Sequence, residues 1–407
     1  MIHRPSLRFL PPAGHPIAFR NVFKAVLDSY SKDESTFTDA LKSYLGSKNC
    51  YLLSSGTAAL YTILKAMGEE TDRDEVVIPA YCCPSLVASA ARAGMKVRLC
   101  DIAQSSFDFD LQQLSELLTP KTLCVVAVHL FGIPENVAST MDVAAGTGTL
   151  VIEDSAQAFG IDLNGAKLGT IGDIGFYSFG RGKSLTMLGG GAVVTDQGSL
   201  AQKIERFVGR LEGDSFFSNF SSLAKVTLYS LFVHPNLYWI PNSLPLLGLG
   251  KTEYVSDFKT ESLCRYLKAL GTVCLSLNDS INRERSMRAR FLVERLTEER
   301  DGSLFSIPGA DAHIPYLRLP VICRSPHLRD KILRAMVQSG IGATRMYGVP
   351  LSRIPGVAQN LTEVRRYPNA EHIAARLLTL PVTPFVAQKD LDTIVEILRT
   401  ASRWGEV

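Results

Sequence analysis

The sequence carries almost no excess of charge of either sign. Its 407 residues include 43 Lys and Arg against 40 Asp and Glu, a formal excess of +3. No run of like charges reads as a binding tail, so the balance gives no case for nucleic acid or an anionic membrane as a global partner. There is no CxxC pair among the eight cysteines, Cys50, Cys82, Cys83, Cys100, Cys124, Cys264, Cys274 and Cys323. Most lie in apolar runs such as VRLC and LCVVAVHL. That usage argues against a disulfide framework or a zinc site, and no metal is expected. The start, MIHRPSLRFLPPAGHP, has no apolar stretch before its prolines, so a cytoplasmic protein without a signal peptide is expected. Internal repeats and low-complexity segments are missing too.

An uninterrupted apolar span of membrane length is also absent. The nearest approach, LAKVTLYSLFVHPNLYWIPNSLPLLGLG (223–250), is broken by Lys225, His234, Pro235, Pro241 and Pro245. It reads as a packed helix followed by an irregular loop. The alternative is an interfacial patch lying on a membrane or covering a partner subunit. A P-loop fails as well. Gly182-Lys183-Ser184 would need a glycine at position 177, and that residue is Tyr177.

What is present is alternation. Apolar, β-rich runs occur at 75–79, 96–100, 122–130, 149–154, 174–179 and 191–196. Helical patterns at 57–68, 85–94 and 111–118 separate the first of them. This predicts an α/β fold, a mainly parallel sheet with helices on both faces, with ligands at the carboxyl ends of the strands. Past residue 260 the texture changes to charged helices at 278–300 and 387–401 around IPYLRLPVI, as in a smaller C-terminal α+β domain. The expected division is an N-terminal segment 1–35, a large domain 36–260 with the apolar insertion 223–250, and a small domain 261–407.

Four stretches fall at the expected binding edge. SSGTAAL (54–60) opens a helix, where free N–H groups with Ser55 and Thr57 suit an anion; a helix cap without ligand is the plainer meaning. In VIEDSAQAFG (151–160), Asp154 ends a strand and Gln157 follows. In SFGRGKSLTMLGGG (178–191), Ser178 and Lys183 stand among glycines that let a ligand approach the backbone. IPAYCCPSLVASA (78–90) turns from strand to helix at Tyr81. In this order, an anion-binding turn, a strand-end acid, a hydroxyl and a lysine are the parts needed to hold pyridoxal phosphate.

These segments, with VAVHLFGIPENV, GIGATRMYGVP and RRYPNAEHIAARLLTLPVTP, resemble the DegT/DnrJ/EryC1/StrS family. That family comprises sugar aminotransferases of the fold-type I pyridoxal-phosphate class. The segments come in family order over most of the chain. The resemblance implies that Lys183, at the family's Ser-Phe-x-x-x-Lys spacing, forms the Schiff base with pyridoxal 5'-phosphate. It implies that Asp154 pairs with the pyridine nitrogen and that Gln157 bonds the ring oxygen. Gly56, Thr57 and Ser178 would hold the phosphate, with backbone from Ala58. Cys83 stands where the family usually stacks an aromatic on the cofactor. His129, Arg345 and Tyr347 are assigned to the substrates.

The implied reaction moves an amino group from an amino acid, L-glutamate by expectation, to a nucleotide-linked keto sugar, in polysaccharide or glycosylated-metabolite biosynthesis. Homodimers with shared active sites are implied. The sequence departs from the family pattern at Gly180, where histidine is usual, and at Leu188. The family's Asn-Tyr-Arg loop, which reaches the partner's phosphate, is not recognisable; Asn236 and Asn242 are the candidates in its place. The alternatives are a non-sugar aminotransferase and a cofactor-binding regulator without turnover.

Overall fold

The computed structural model describes residues 8–31, 33–244, 252–297, 304–309 and 313–402. Helices α1 (Phe19–Ser31) and α2 (Thr36–Leu45) precede the large sheet. Strands and helices then alternate: β1 (Asn49–Leu53), α3 (Gly56–Gly68), β2 (Glu75–Pro79), α4 (Ser85–Ala93), β3 (Lys96–Cys100), α5 (Leu111–Leu117), β4 (Thr122–Val128), α6 (Val137–Ala145) and β5 (Leu150–Asp154). A short hairpin, β6 (Asp162–Leu163) and β7 (Ala166–Lys167), leads to β8 (Ile174–Ser178) and β9 (Gly191–Thr195). Four helices follow: α7 (Gly198–Val208), α8 (Phe216–Phe232), α9 (Pro235–Asn242) and α10 (Arg265–Leu275). The remainder is α11 (Asn278–Thr297), β10 (Phe305–Ser306), β11 (Leu319–Cys323), α12 (Pro326–Gln338), α13 (Pro368–Arg376), β12 (Leu377–Leu380) and α14 (Gln388–Ser402).

The large sheet has the order β1-β9-β8-β5-β4-β2-β3. All pairs from β8 to β3 are parallel. Strand β9 runs against both its neighbours, so β1 points the same way as β8 and β5. Every residue of β4 is buried, as expected of a central strand covered on both faces. The consequence for function is spatial. The carboxyl ends of β1, β8 and β5 gather at one edge, and each continues into one of the stretches singled out above. The small sheet is antiparallel, β10-β11-β12. One apolar cluster runs from α3 through Tyr81, Phe131 and Tyr316 into Leu319, Val321 and Leu378 of that sheet. The large and small sheets therefore share a core.

The N-terminal stretch is held by distant residues. Arg8 makes two hydrogen bonds to Asp390 at 2.7 and 2.8 Å. Leu10 N–H donates to Gly340 O at 2.8 Å. Gly342 has to be glycine: a Cβ there would stand 2.2 Å from Leu10 O.

One expectation holds only in part. The apolar stretch 223–250 opens in a helix that packs on α1 and α10 through Leu223, Val226 and Tyr229, but the outer side of that helix is apolar too. In α8 only Val226 is fully buried, while Phe216, Phe217, Phe220, Leu228 and Leu231 are exposed. Residues 235–242 form α9 rather than an irregular loop; Pro235 starts it, as proline can at a first turn. Residues 245–250 lie outside the described residues. Among the described residues no helix is long and apolar enough to cross a membrane.

Candidate functional site

Strand β1 runs out at Ser54, and Ser55 caps α3 by accepting from Ala58 N–H at 3.0 Å. The capping reading therefore holds for Ser55. The helix N-terminus is pressed onto the end of β8: a Cβ on Gly56 would lie 2.6 Å from Ser178 Cβ. Glycine is what allows the Ser178 side chain to lie against the first residue of α3. That pairing of hydroxyl and helix terminus fits an anionic group such as a phosphate. Gly191 is in the same vice, 2.5 Å from Ser55 backbone by the same measure.

Between β8 and β9 the chain bulges out. Phe179 N–H donates to Gly190 O and Met187 N–H to Phe179 O, both at 2.8 Å, closing the neck of the loop. Gly182 takes a φ of 76°, open to glycine at little cost. Lys183 sits half-buried on this loop. Its backbone carbonyl accepts from Thr186 Oγ1 at 2.8 Å. Three braces come from elsewhere. Thr186 N–H donates to His15 Nε2 at 3.0 Å. The Arg285 guanidinium donates to Ser184 O at 3.2 Å, and Ser184 Oγ donates to Gln157 O at 3.3 Å.

Asp154 ends β5 and is buried, its Oδ1 accepting from Ala156 N–H at 2.9 Å. Burial pushes its carboxyl above the usual range, and the positive charge of Lys183 works against that rise. The sequence thus brings acid and lysine within electrostatic reach inside an apolar setting. A buried carboxylate in that position is stabilised by a cationic ligand group. A protonated pyridine nitrogen meets this need, so the residues present fit the cofactor at both ends.

Gln157 is buried and doubly used. Its Oε1 accepts from Phe131 N–H at 3.1 Å, and its Nε2 donates to the Tyr347 hydroxyl at 3.1 Å. Tyr347 packs edge-on to Tyr81 with ring centroids 5.4 Å apart, and burial raises its phenol above the ordinary range. Cys83 is half-buried beside it, its Sγ accepting from Ser85 Oγ at 3.0 Å. Lys183, Asp154, Gln157, Ser178, Cys83, Tyr347 and the start of α3 (Gly56, Thr57, Ala58) therefore belong to one region.

Two assigned substrate residues are engaged by protein partners, although His129 adjoins Asp154, its backbone N–H donating to Asp154 O at 3.1 Å. His129 is fully buried, and both ring nitrogens are engaged. Its Nδ1 accepts from Glu135 N–H at 3.0 Å, so the hydrogen sits on Nε2 and is donated to Glu153 Oε2 at 2.9 Å. Burial alone would raise Glu153; the His129 N–H and the backbone N–H groups of Gly172 and Gly169 outweigh it and hold the carboxyl low. His129 thus fixes the strand ends and offers no free nitrogen to a substrate. Arg345 turns away: its side chain is 52% exposed and pairs with Asp330 on α12 at 3.2 Å. Asn236 and Asn242 are exposed on α9.

The structure adds what the sequence reading missed. A cavity of about 170 Å³ opens beside Gly182, lined by Arg181, Arg318, Tyr238 and Thr344 among others and by no carboxylate. Arg318 donates to Thr344 Oγ1 at 3.1 Å. An arginine interrupting the apolar run YLRLPVI was the signal available for it. Nothing comparable marked His15 or Arg285.

The model of the DegT/DnrJ/EryC1/StrS aminotransferase family matches residues 18–223 and 262–399. A dTDP-4-dehydro-2,3,6-trideoxy-D-glucose 4-aminotransferase of Saccharopolyspora spinosa is 25% identical over 350 residues, 86% of this chain and 83% of that protein. A pleiotropic regulatory protein of Geobacillus stearothermophilus is 27% identical over 357 residues, 88% of this chain and 86% of its own. Among solved structures, Helicobacter pylori PseC, an aminotransferase involved in the biosynthesis of pseudoaminic acid, superposes with a TM-score of 0.77 at 20% identity. That match covers 98% of this chain and 100% of the other. At that identity the likeness is one of fold, and it is the expected fold: a mainly parallel sheet with a small antiparallel sheet after it.

Proposed function

The chain belongs to the DegT/DnrJ/EryC1/StrS aminotransferase family and is a pyridoxal-phosphate-dependent aminotransferase, and from that premise we propose that it aminates a nucleotide-linked keto sugar with L-glutamate as donor. The observation that carries the site assignment is buried Asp154 lying within reach of the Lys183 charge, beside the Gly56–Ser178 contact. The bound cofactor supplies a carbonyl carbon for the amine and a ring that withdraws electrons. Lys183 Nζ is the amine that would hold that carbon when the cofactor is bound, and as a free amine it would serve as the base that moves a proton at the substrate carbon. Asp154 keeps the ring nitrogen protonated. Ser178 and the α3 terminus at Gly56, Thr57 and Ala58 hold the phosphate. Gln157 and Cys83 border the ring, and Tyr347 orients Gln157. Arg181 and Arg318 take the anionic groups of donor and acceptor in turn. The working form is a cytoplasmic homodimer.

The relative of Saccharopolyspora supports the nucleotide-sugar reading through its own substrate. The regulatory relative supports a second reading, cofactor binding without turnover, and Cys83 in the usual aromatic's place gives it a physical motive. One experiment separates the two. The protein loaded with pyridoxal phosphate is reduced with borohydride and its peptides weighed, with and without prior L-glutamate. Cofactor mass on the peptide containing Lys183, lost when glutamate precedes reduction, is the expected result. Retention despite glutamate favours the regulator or another donor. No labelled peptide in wild type, with the same blank in Lys183→Ala, refutes the assignment of Lys183.

A further inference from the structure

The cavity beside Gly182 has walls of two origins. One is the lysine loop with Thr344 and Met346; the other is Tyr238 of α9. Helix α9 lies in 224–261, between the two parts of the chain that match the family. The family pattern therefore does not supply this second wall.

Distant contacts fix Tyr238 in place. Phe9 N–H donates to Pro235 O, at the start of α9, at 2.9 Å. The Phe9 ring stacks on the Tyr238 ring, with centroids 6.3 Å apart and planes inclined by 26°. The His234 ring just ahead of α9 meets Phe385 edge-on at 6.3 Å. The ring of Tyr238 is thus committed to the protein. Its hydroxyl is not: among the described residues it makes no hydrogen bond.

Charge says what that hydroxyl can meet. Burial raises the Tyr238 phenol, while the charges of Arg181 and Arg318 pull it down, so both guanidinium groups act on the same oxygen. Burial lowers Arg318, and the Arg181 charge works in the same direction. Arg318 Nη1 is spent on Thr344 Oγ1, but its buried Nε has no partner among the described residues. No described carboxylate lines the cavity. Two cations held together without an acid are stabilised by negative charge from outside, and best by two such charges. The volume, about 170 Å³, is below the roughly 300 Å³ at which pockets for larger ligands begin. It suits a molecule of amino-acid size with two carboxylates, not a nucleotide.

We propose that Tyr238 is a specificity residue that selects a small dicarboxylate, the amino donor. Its hydroxyl donates to a carboxylate oxygen of a molecule seated on Arg181 and Arg318, next to the lysine loop. A monocarboxylate leaves one guanidinium without its anion and is the weaker donor. That the dicarboxylate gives up an amine rests on the aminotransferase reading; the seat itself does not.

The test compares wild type with Tyr238→Phe, both full-length and loaded with pyridoxal phosphate. The variant loses one oxygen and keeps its ring on Phe9, so its melting temperature should match wild type. The loss of the cofactor's visible absorbance is timed against the concentration of L-glutamate, and again of L-alanine. In the variant the half-saturating concentration of glutamate should rise by about tenfold, with a smaller effect on the limiting rate. That of alanine should move by less than about twofold. Glutarate, which has both carboxylates and no amine, should raise the melting temperature of wild type more than that of the variant. Equal shifts for glutamate and alanine, or no shift for glutamate, overturn the proposal. If glutamate leaves the absorbance of wild type unchanged, glutarate decides. Stronger stabilisation of wild type keeps the dicarboxylate seat while the donor reading falls, and equal stabilisation removes Tyr238 from the seat.

Discussion

The Gln157 side-chain amide donates to the Tyr347 hydroxyl at 3.1 Å, joining residues 190 positions apart. Gln157 follows β5 of the large sheet, and Tyr347 comes from the C-terminal part. The other end of the same amide holds Phe131 N–H. Tyr347→Phe removes one buried hydrogen bond while keeping the ring contact with Tyr81. It should cost about 1 kcal/mol in urea denaturation. Gln157→Ala also leaves Phe131 N–H without its acceptor and should cost about 2 kcal/mol more. Equal losses from the two variants would show that the amide does not bridge the two parts.

Gly56 and Ser178 touch, and the contact is testable by adding one carbon and removing another. In Gly56→Ala the new Cβ meets Ser178 Cβ at 2.6 Å and its Cα at 3.3 Å. We expect a loss of about 1–3 kcal/mol in stability and weaker retention of pyridoxal phosphate on dialysis. Adding Ser178→Gly should restore part of the stability but not the cofactor affinity, because the hydroxyl goes with the clash. Recovery of both would remove Ser178 from the phosphate site.

Glu135 is buried, and burial pushes its carboxyl up to about 7 against the pull of Thr140 and His129. Between its ordinary 4.5 and that value the folded protein holds a proton that the unfolded chain has released. Stability from this group therefore falls as pH rises through that window. His15 works the other way: burial lowers it to about 4, so its contribution is gained as pH rises towards 6.5. Comparing wild type with Glu135→Gln cancels the histidine. The stability difference should shift in favour of the variant by up to about 3 kcal/mol across the window, read from urea titrations at several pH values. A difference that stays flat means that Glu135 titrates normally.

The strands were legible because they are buried on both faces and so read as unbroken apolar runs; TLCVVAV is the clearest case. Helices α3 and α4 were legible from apolar spacing, and the places of Lys183, Asp154 and Ser178 followed from strand ends. Three things were not legible. The reversal of β9 depends on a long excursion through Lys183, which leaves no mark in a strand's composition. Arg345 and His129 look like site residues in the sequence, but their partners, Asp330, Glu153 and the Glu135 backbone, decide where they point. The outward apolar side of α8 was misread because apolar spacing gives a helix its stripe and not the direction in which the stripe faces.

The grip of Arg8 on Asp390, and of Leu10 on Gly340, sets an order on the making of the protein. The ribosome delivers Lys183 long before it delivers residues 340 and 390. The stretch that places His15 under the lysine loop can be clasped only after both have emerged. A truncated translation product ending before them would carry the lysine and the acid without the brace. The clasp therefore ties the bracing of the reactive loop to the emergence of residues 340 and 390, and a fragment released before them lacks that brace.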